Sequence, residues 1–260
     1  YGWQPTALVT GVLVLLIGLP SAHFVRSNPE DMGLLPDGDT RTEGQSGSAL
    51  LVPPTADFTV SEALADRAFW FVSVGHGVAL IAVFLVMVHL VPHLVDGAGW
   101  SRVSAQTLLT LVTFSQLGAQ LVGGYLGDRY SKTRLAGIAM LGHAGGMLLL
   151  AVSTDSLMVI LAALLHGAAW GLRGPLMMAI RADYYGRTHF GKIAGYANVL
   201  VMLGPLVGPM IGGAMNDAFG NYRGAFLLVA AITAAGSLLF FFARKPPIPI
   251  RYSIASNETP

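Results

Sequence analysis

Seven apolar stretches, each about 18 to 24 residues long, dominate this chain and constrain its fold more than anything else in it. They run over Thr6–Phe24, Phe69–Val91, Ser104–Leu126, Leu135–Val152, Leu157–Ile180, Ile193–Met215 and Ala225–Phe242. A helix of about 20 residues crosses a hydrocarbon core of about 30 Å. Lipid offers no partner to backbone N–H and C=O groups, so each stretch is expected to be a helix. Only 11% of the residues are charged, against about 25% in soluble domains. The reading is an all-α, multi-pass membrane protein of about seven transmembrane helices. There is no cysteine, which excludes disulfides and thiolate chemistry. The chain opens at Tyr1 with no basic stretch and small-residue cleavage site, so its start does not read as a signal peptide.

The connections sort by charge. One set of loops carries Arg26, Arg41, Arg67, Arg129, Lys132, Arg134, Arg181, Arg187, Lys192, Arg244, Lys245 and Arg251. The opposite set carries Arg102 and Arg223. Basic residues mark the cytoplasmic side, which places the amino terminus outside and the carboxy terminus in the cytoplasm of a cell (plasma or inner) membrane. Trp3, Trp100, Phe219 and Tyr222 fall at the outer edge, and Trp70, Tyr130, Tyr184 and Tyr185 at the inner edge, as aromatic belts do. Residues 26–68 read as a cytoplasmic linker rich in Pro, Gly and acids. Its end, TVSEALADRAF, has the pattern of a short amphipathic helix with Thr59 or Ser61 as cap. Ser153–Ser156 reads as a tight turn, and residues 246–260 as a cytoplasmic tail.

Between the third and fourth stretches lies GGYLGDRYSKTR, Gly123 to Arg134. It resembles the loop signature of the major facilitator superfamily of secondary transporters, with Gly124, Asp128, Arg129, Ser131, Lys132 and Arg134 on the pattern and Thr133 in place of a second basic residue. YGWQPTALVTG is similar to the start of that family's sixth helix, and PEDMGLLPDG to the central linker of its monocarboxylate and oxalate/formate-like branch. ADYYGRTHFGKIAG and GPLVGPMIGGAMNDAFGNYRGAF resemble the loop before helix eleven and helix eleven itself. The resemblance implies a fragment with three membrane parts. Residues 1–25 would be the last helix of an amino-terminal bundle, and residues 69–245 a complete six-helix carboxy-terminal bundle. The remaining amino-terminal bundle would be the missing partner. It also implies alternating access around a site near the membrane midplane, with Asp128 and Arg129 in a gating loop. The implied cargo is a small solute, an organic anion such as a carboxylate first. A drug or neutral solute is the alternative. No cofactor is implied, and the coupling ion, H+ or Na+, stays open. A non-transporting sensor or truncated product is a further reading. A retinal protein is disfavoured because the last span holds no lysine, and nothing resembles a nucleic-acid surface.

Several polar residues interrupt the apolar runs. Arg173 sits near the middle of its span, where a guanidinium costs at least about 2.5–3.5 kcal/mol, and His166 lies on the same face. Two readings of Arg173 stand: it holds an anionic group, or it locks onto an acid or carbonyls. His166 either relays a proton or is a satisfied buried histidine. Gln116 and Gln120 form a stripe with Thr113. They stand where the monocarboxylate branch places an acid and an arginine, which suits a neutral solute or bonding between helices. His76 shares a face with Ser73, and Asn198 is a further cavity candidate. His89 and His93 suggest a metal pair or pH sensor, or simply interfacial histidines. Gly204, Gly208, Pro209, Gly212 and Gly213 read as a packing and hinge element.

Overall fold

The computed structural model describes residues 3–25 and 57–249. Of the expected linker over 26–68 and tail over 246–260, residues 26–56 and 250–260 lie outside the described residues. The chain divides into two units, Tyr1–Pro53 and Pro54–Pro260. The described part of the first is one helix, α1 (Trp3–Phe24).

The second unit is built from helices. In chain order they are α2 (Val60–Ala65), α3 (Arg67–Ala98), α4 (Arg102–Gly127), α5 (Lys132–Val152), α6 (Ser156–Tyr185), α7 (Phe190–Val201), α8 (Leu203–Phe219) and α9 (Arg223–Phe242). Their starts follow local chemistry. Ser101 Oγ accepts from the Ser104 amide and Ser131 Oγ from the Arg134 amide. Asp155 accepts from the amides of Leu157 and Met158. Each satisfies an N–H that the first helical turn leaves open. Gly99 and Gly220 close α3 and α8 in the left-handed conformation that glycine tolerates.

Six described segments are long and apolar enough to cross a membrane: Gln4–Phe24, Arg67–Ala98, Lys132–Val152, Ser156–Tyr185, Phe190–Phe219 and Arg223–Phe242. The expected span over Ser104–Leu126 forms a helix of full length, α4, with 26 residues, but it is not among the six. The reason is its polar stripe. Thr107, Thr110 and Thr113 bond back to the carbonyls of Val103, Gln106 and Leu109, and Gln116 and Gln120 continue the row. The expected helix over Ile193–Met215 is broken in two at Met202. Pro205 has no N–H to offer the Val201 carbonyl, so the ladder is weakest at that point. The amphipathic segment before α3 folds as α2, and Thr59 rather than Ser61 caps it.

The helices meet through small residues. A Cβ added at Gly167 or Gly171 of α6 would run into the backbone carbonyls of Val112 and Gln116 on α4. At Gly123 of α4 it would lie 2.5 Å from the Leu172 carbonyl oxygen. Backbones this close gain dense contact that lipid cannot supply. Larger side chains fill the rest. Leu85, Leu90, Met147, Leu150, Val159 and Phe226 belong to one buried cluster, and Met140, Leu176, Met177, Ile180 and Phe240 to another nearer the basic loops.

Gly171→Ala is expected to force α4 away from α6 and destabilise the bundle by about 1–3 kcal/mol, the usual cost of overpacking. Gly118→Ala, where a Cβ meets nothing within 4 Å, should be neutral or stabilising by thermal unfolding in detergent.

Candidate functional site

Five nitrogen-bearing side chains from three helices form one seam, buried except at the partly exposed His76. His166, Arg173 and Arg181 come from one face of α6, His143 from α5 and His76 from α3. Arg173 lies about 4 Å from the midpoint of the 30-residue α6, at 1.5 Å per residue. Arg181 lies near the end of α6 that carries the basic loops. Both arginines are fully buried, as are His143 and His166.

The imidazoles of His143 and His166 face each other, with Nδ1 to Nδ1 at 3.2 Å and ring centroids 4.5 Å apart. His143 reaches across because small residues flank it. The backbone at Gly142 packs on Ala169, and at Gly146 on the Ala162 carbonyl and His166. One Nδ1–H donates to the other Nδ1, so the acceptor ring carries its own proton on Nε2. Both Nε2 atoms are sealed from solvent without a partner. His143 escaped the sequence reading, since a lone histidine in GHAGG carries no helical-face signal.

Arg173 is close enough for its charge to act on His76, His143 and His166. Its Nε and Nη1 are buried and unpartnered. Arg181 donates from Nη2 to Nδ1 of His76 at 3.3 Å and from Nη1 to Sδ of Met178 at 3.8 Å, while its Nε is unpartnered. Among the described residues neither arginine forms an ion pair; Lys132 and Asp183 do, at 2.7 Å on the basic loops. Ser73 Oγ, near His76 in sequence, and Thr233 Oγ1 of α9 are also sealed without partners. A buried polar group costs about 1–3 kcal/mol when left unmade, and more when charged. Among the described residues the seam is therefore rich in unmet donors and holds no acid.

The other candidates stand apart from the seam. Gln116 donates from Nε2 to Oε1 of Gln120 at 2.8 Å, and this pair lies on the outside of α4. Asn198 is exposed on α7. His89 donates through Nε2 to the Pro209 carbonyl at 2.9 Å, and His93 to the Leu150 carbonyl at 2.9 Å. Leu150 lies in the last turn of α5, where carbonyls lack helical donors. The two histidines are thus committed to two different helices, each tying α3 to a neighbour. Gly204, Gly208 and Gly212 line the face of α8 against α3, beside Leu80, Ile81 and His89, whereas Gly213 meets nothing within 4 Å. In the Gly124 loop, Asp128 is the exposed C-cap residue of α4. Arg129 stacks 3.6 Å over the Tyr125 ring and donates to the Tyr125 carbonyl.

Ionisable side chains buried at mid-depth in a membrane bundle mark functional positions. The sequence pattern of the Major Facilitator Superfamily matches residues 72–256. The chain belongs to that transporter family. It is 24% identical over 249 residues to human "Monocarboxylate transporter 11", covering 92% of this chain and 50% of the relative. It is 26% identical over 249 residues to rat "Monocarboxylate transporter 13", covering 91% and 51%. It is 31% identical over 126 residues to a Mycobacterium tuberculosis "Multidrug resistance protein B homolog", covering 48% and 23%. The chain spans about half the length of the monocarboxylate transporters it matches.

Replacing His143 by Leu strands His166 without any partner and is expected to cost about 1–3 kcal/mol. The double variant His143→Leu/His166→Leu should cost less than the two single losses added, a coupling that a double-mutant cycle on thermal unfolding reads directly. Strict additivity would contradict the pairing.

Proposed function

We propose that this chain supplies the carboxy-terminal bundle of a secondary transporter, with α1 as the last helix of the other bundle, and that the cargo is a small organic anion. The observation that carries this reading is the unpaired Arg173. A guanidinium at mid-membrane with open Nε and Nη1 donors and, among the described residues, no acid paired with it calls for an anion. A carboxylate oxygen is a strong acceptor for either open donor, since a charge-assisted hydrogen bond is about twice as strong as a neutral one. The alternative of a structural lock needs an acid or carbonyl on those donors, and the described residues offer none at Nε or Nη1.

Sealing of the seam fits alternating access. A transporter exposes its midplane site only when one bundle rocks against the other. The seam lies inside one bundle, so beyond that rocking the cargo reaches Arg173 only when α6 parts from α3 and α5. The basic loops mark the cytoplasmic side, and Asp128 with Arg129 serves as a gate between the bundles. Kinship with proteins named monocarboxylate transporters agrees in cargo class.

A neutral or drug-like solute is the second reading. It rests on the Gln116–Gln120 amide pair on the outside of α4 and on the stretch shared with a multidrug resistance homologue. Uptake assays on the complete protein separate the two. Arg173→Gln should lower carboxylate uptake by at least about tenfold, the cost of losing one charged hydrogen bond, at unchanged expression. Arg173→Lys should retain part of it. Carboxylate uptake that is indifferent to Arg173→Gln but lost in Gln116→Ala would favour the second reading.

A further inference from the structure

The broken helix is held differently on its two sides. α8 is riveted to α3: Gly204 and Gly208 press on the backbone of Gly77 and Ile81, and His89 bonds the Pro209 carbonyl. α7, beyond the break at Met202, lies at the basic end, where it packs on α3, with the backbone at Gly77 against the Leu200 carbonyl, and also on the short segment leading into α3. Phe58, Ala63 and Phe69 form one buried cluster with Tyr185, Ile193 and Ala197, to which Val60 and Leu64 add. Ile193 and Ala197 belong to α7.

That segment is itself tied down at both ends. At its start, the Asp57 carboxylate accepts from the Arg187 amide at 2.8 Å, from the Thr188 amide at 3.5 Å and from the Thr188 hydroxyl. The Phe58 amide donates to the Tyr185 carbonyl at 3.0 Å, and the Phe58 ring stands edge-on to Tyr185 at 5.4 Å. At its end, Tyr185 donates to Asp66 at 2.8 Å and Trp70 to the Leu64 carbonyl at 2.9 Å. Between them α2 is stiffened by a reciprocal capping box of Thr59 and Glu62. Gly186, at φ +78°, makes room, since a side chain there would collide with Asp57. Asp57, Tyr185 and Thr188 therefore close a clasp over the α6–α7 turn.

We propose that residues 57–65 are a strap that positions α7, and that Asp57 is the positioning residue whose release frees α7 to swing about the Met202–Pro205 break. The consequence is that the basic-end half of the broken helix is a gate segment controlled by the strap, while the α8 half stays fixed to α3. The inference rests on the clasp and the break, and on no assumption about the cargo. Burial works against the Asp57 carboxylate, but the Thr188 hydroxyl and the two amides outweigh it and hold the group below the usual aspartate range. It is therefore ionised at neutral pH, and protonation loosens the clasp only when pH falls through that lowered value.

Thiol labelling tests this cleanly because the chain has no cysteine of its own. Ala197, fully buried under the strap, and Val229, fully buried in the separate cluster at the other end, are each changed to Cys in the complete protein, in an otherwise cysteine-free background. A membrane-impermeant maleimide is applied from the basic side. Ala197→Cys should label slowly in the parent and at least about tenfold faster with Asp57→Ala, as local opening becomes cheaper. Asp57→Asn, which keeps a carbonyl acceptor for the Arg187 amide, should fall between, and Thr188→Val should act in the same direction. Val229→Cys should stay unreactive throughout. Equal labelling of Ala197→Cys in the parent and in Asp57→Ala would overturn the strap. So would a parallel rise at Val229→Cys, since that would make Asp57 a contributor to general stability only.

Discussion

Hydrocarbon offers a polypeptide no hydrogen-bond partner, and that one constraint orders everything else in this molecule. It makes every crossing segment a helix, because only a helix satisfies its backbone internally. It also removes the hydrophobic drive that packs helices in water, so these helices hold together by close approach. Gly123, Gly167 and Gly171 let α4 and α6 touch backbone to backbone, and Gly204, Gly208 and Gly212 do the same for α8 on α3. Side-chain polar groups come under the same rule. His89 and His93 obey it by spending their Nε2 protons on carbonyls of α8 and α5. The seam of His143, His166, Arg173, Arg181 and His76 obeys it only in part.

That partial satisfaction separates structure from function here. A histidine bonded to a carbonyl is a tie between helices. A buried guanidinium with open donors is an invitation to a ligand, because leaving it empty is expensive. The strap at the basic end works on a different principle. It lies where the charged loops are, and its bonds hold the turn between α6 and α7. On the proposed reading the seam supplies recognition, and the strap, with the break at Met202, supplies mobility.

Much of the architecture was legible in the residues. Run length alone locates the long helices, six of the seven expected spans being apolar enough to cross, and the apolar-polar pattern before Arg67 foretells α2. The family follows from Gly124, Asp128, Arg129, Lys132 and Arg134. What stayed hidden had physical reasons. The break in the sixth span depends on a single missing N–H at Pro205, and prolines inside α3, α6 and α8 leave those helices continuous. His143 meets His166 only because glycines bring α5 and α6 together, a relation between helices that no local pattern carries. His89 and His93, four residues apart, left a metal pair or interfacial histidines open, and their spacing could not show that they bond different helices. Gln116 and Gln120, adjacent as expected, lie on the outside of α4, apart from the seam to which Arg173 and His166 belong.

The most direct measurement of the central claim is ligand-induced thermal stabilisation of the purified complete protein. Small carboxylates are compared with their neutral amides, which share shape but lack charge. A ligand that binds only the folded state raises the unfolding midpoint with concentration. If Arg173 is an anion site, carboxylates stabilise the protein, their amides do not, and Arg173→Gln removes the difference. Equal stabilisation by acid and amide, persisting in Arg173→Gln, would contradict the account.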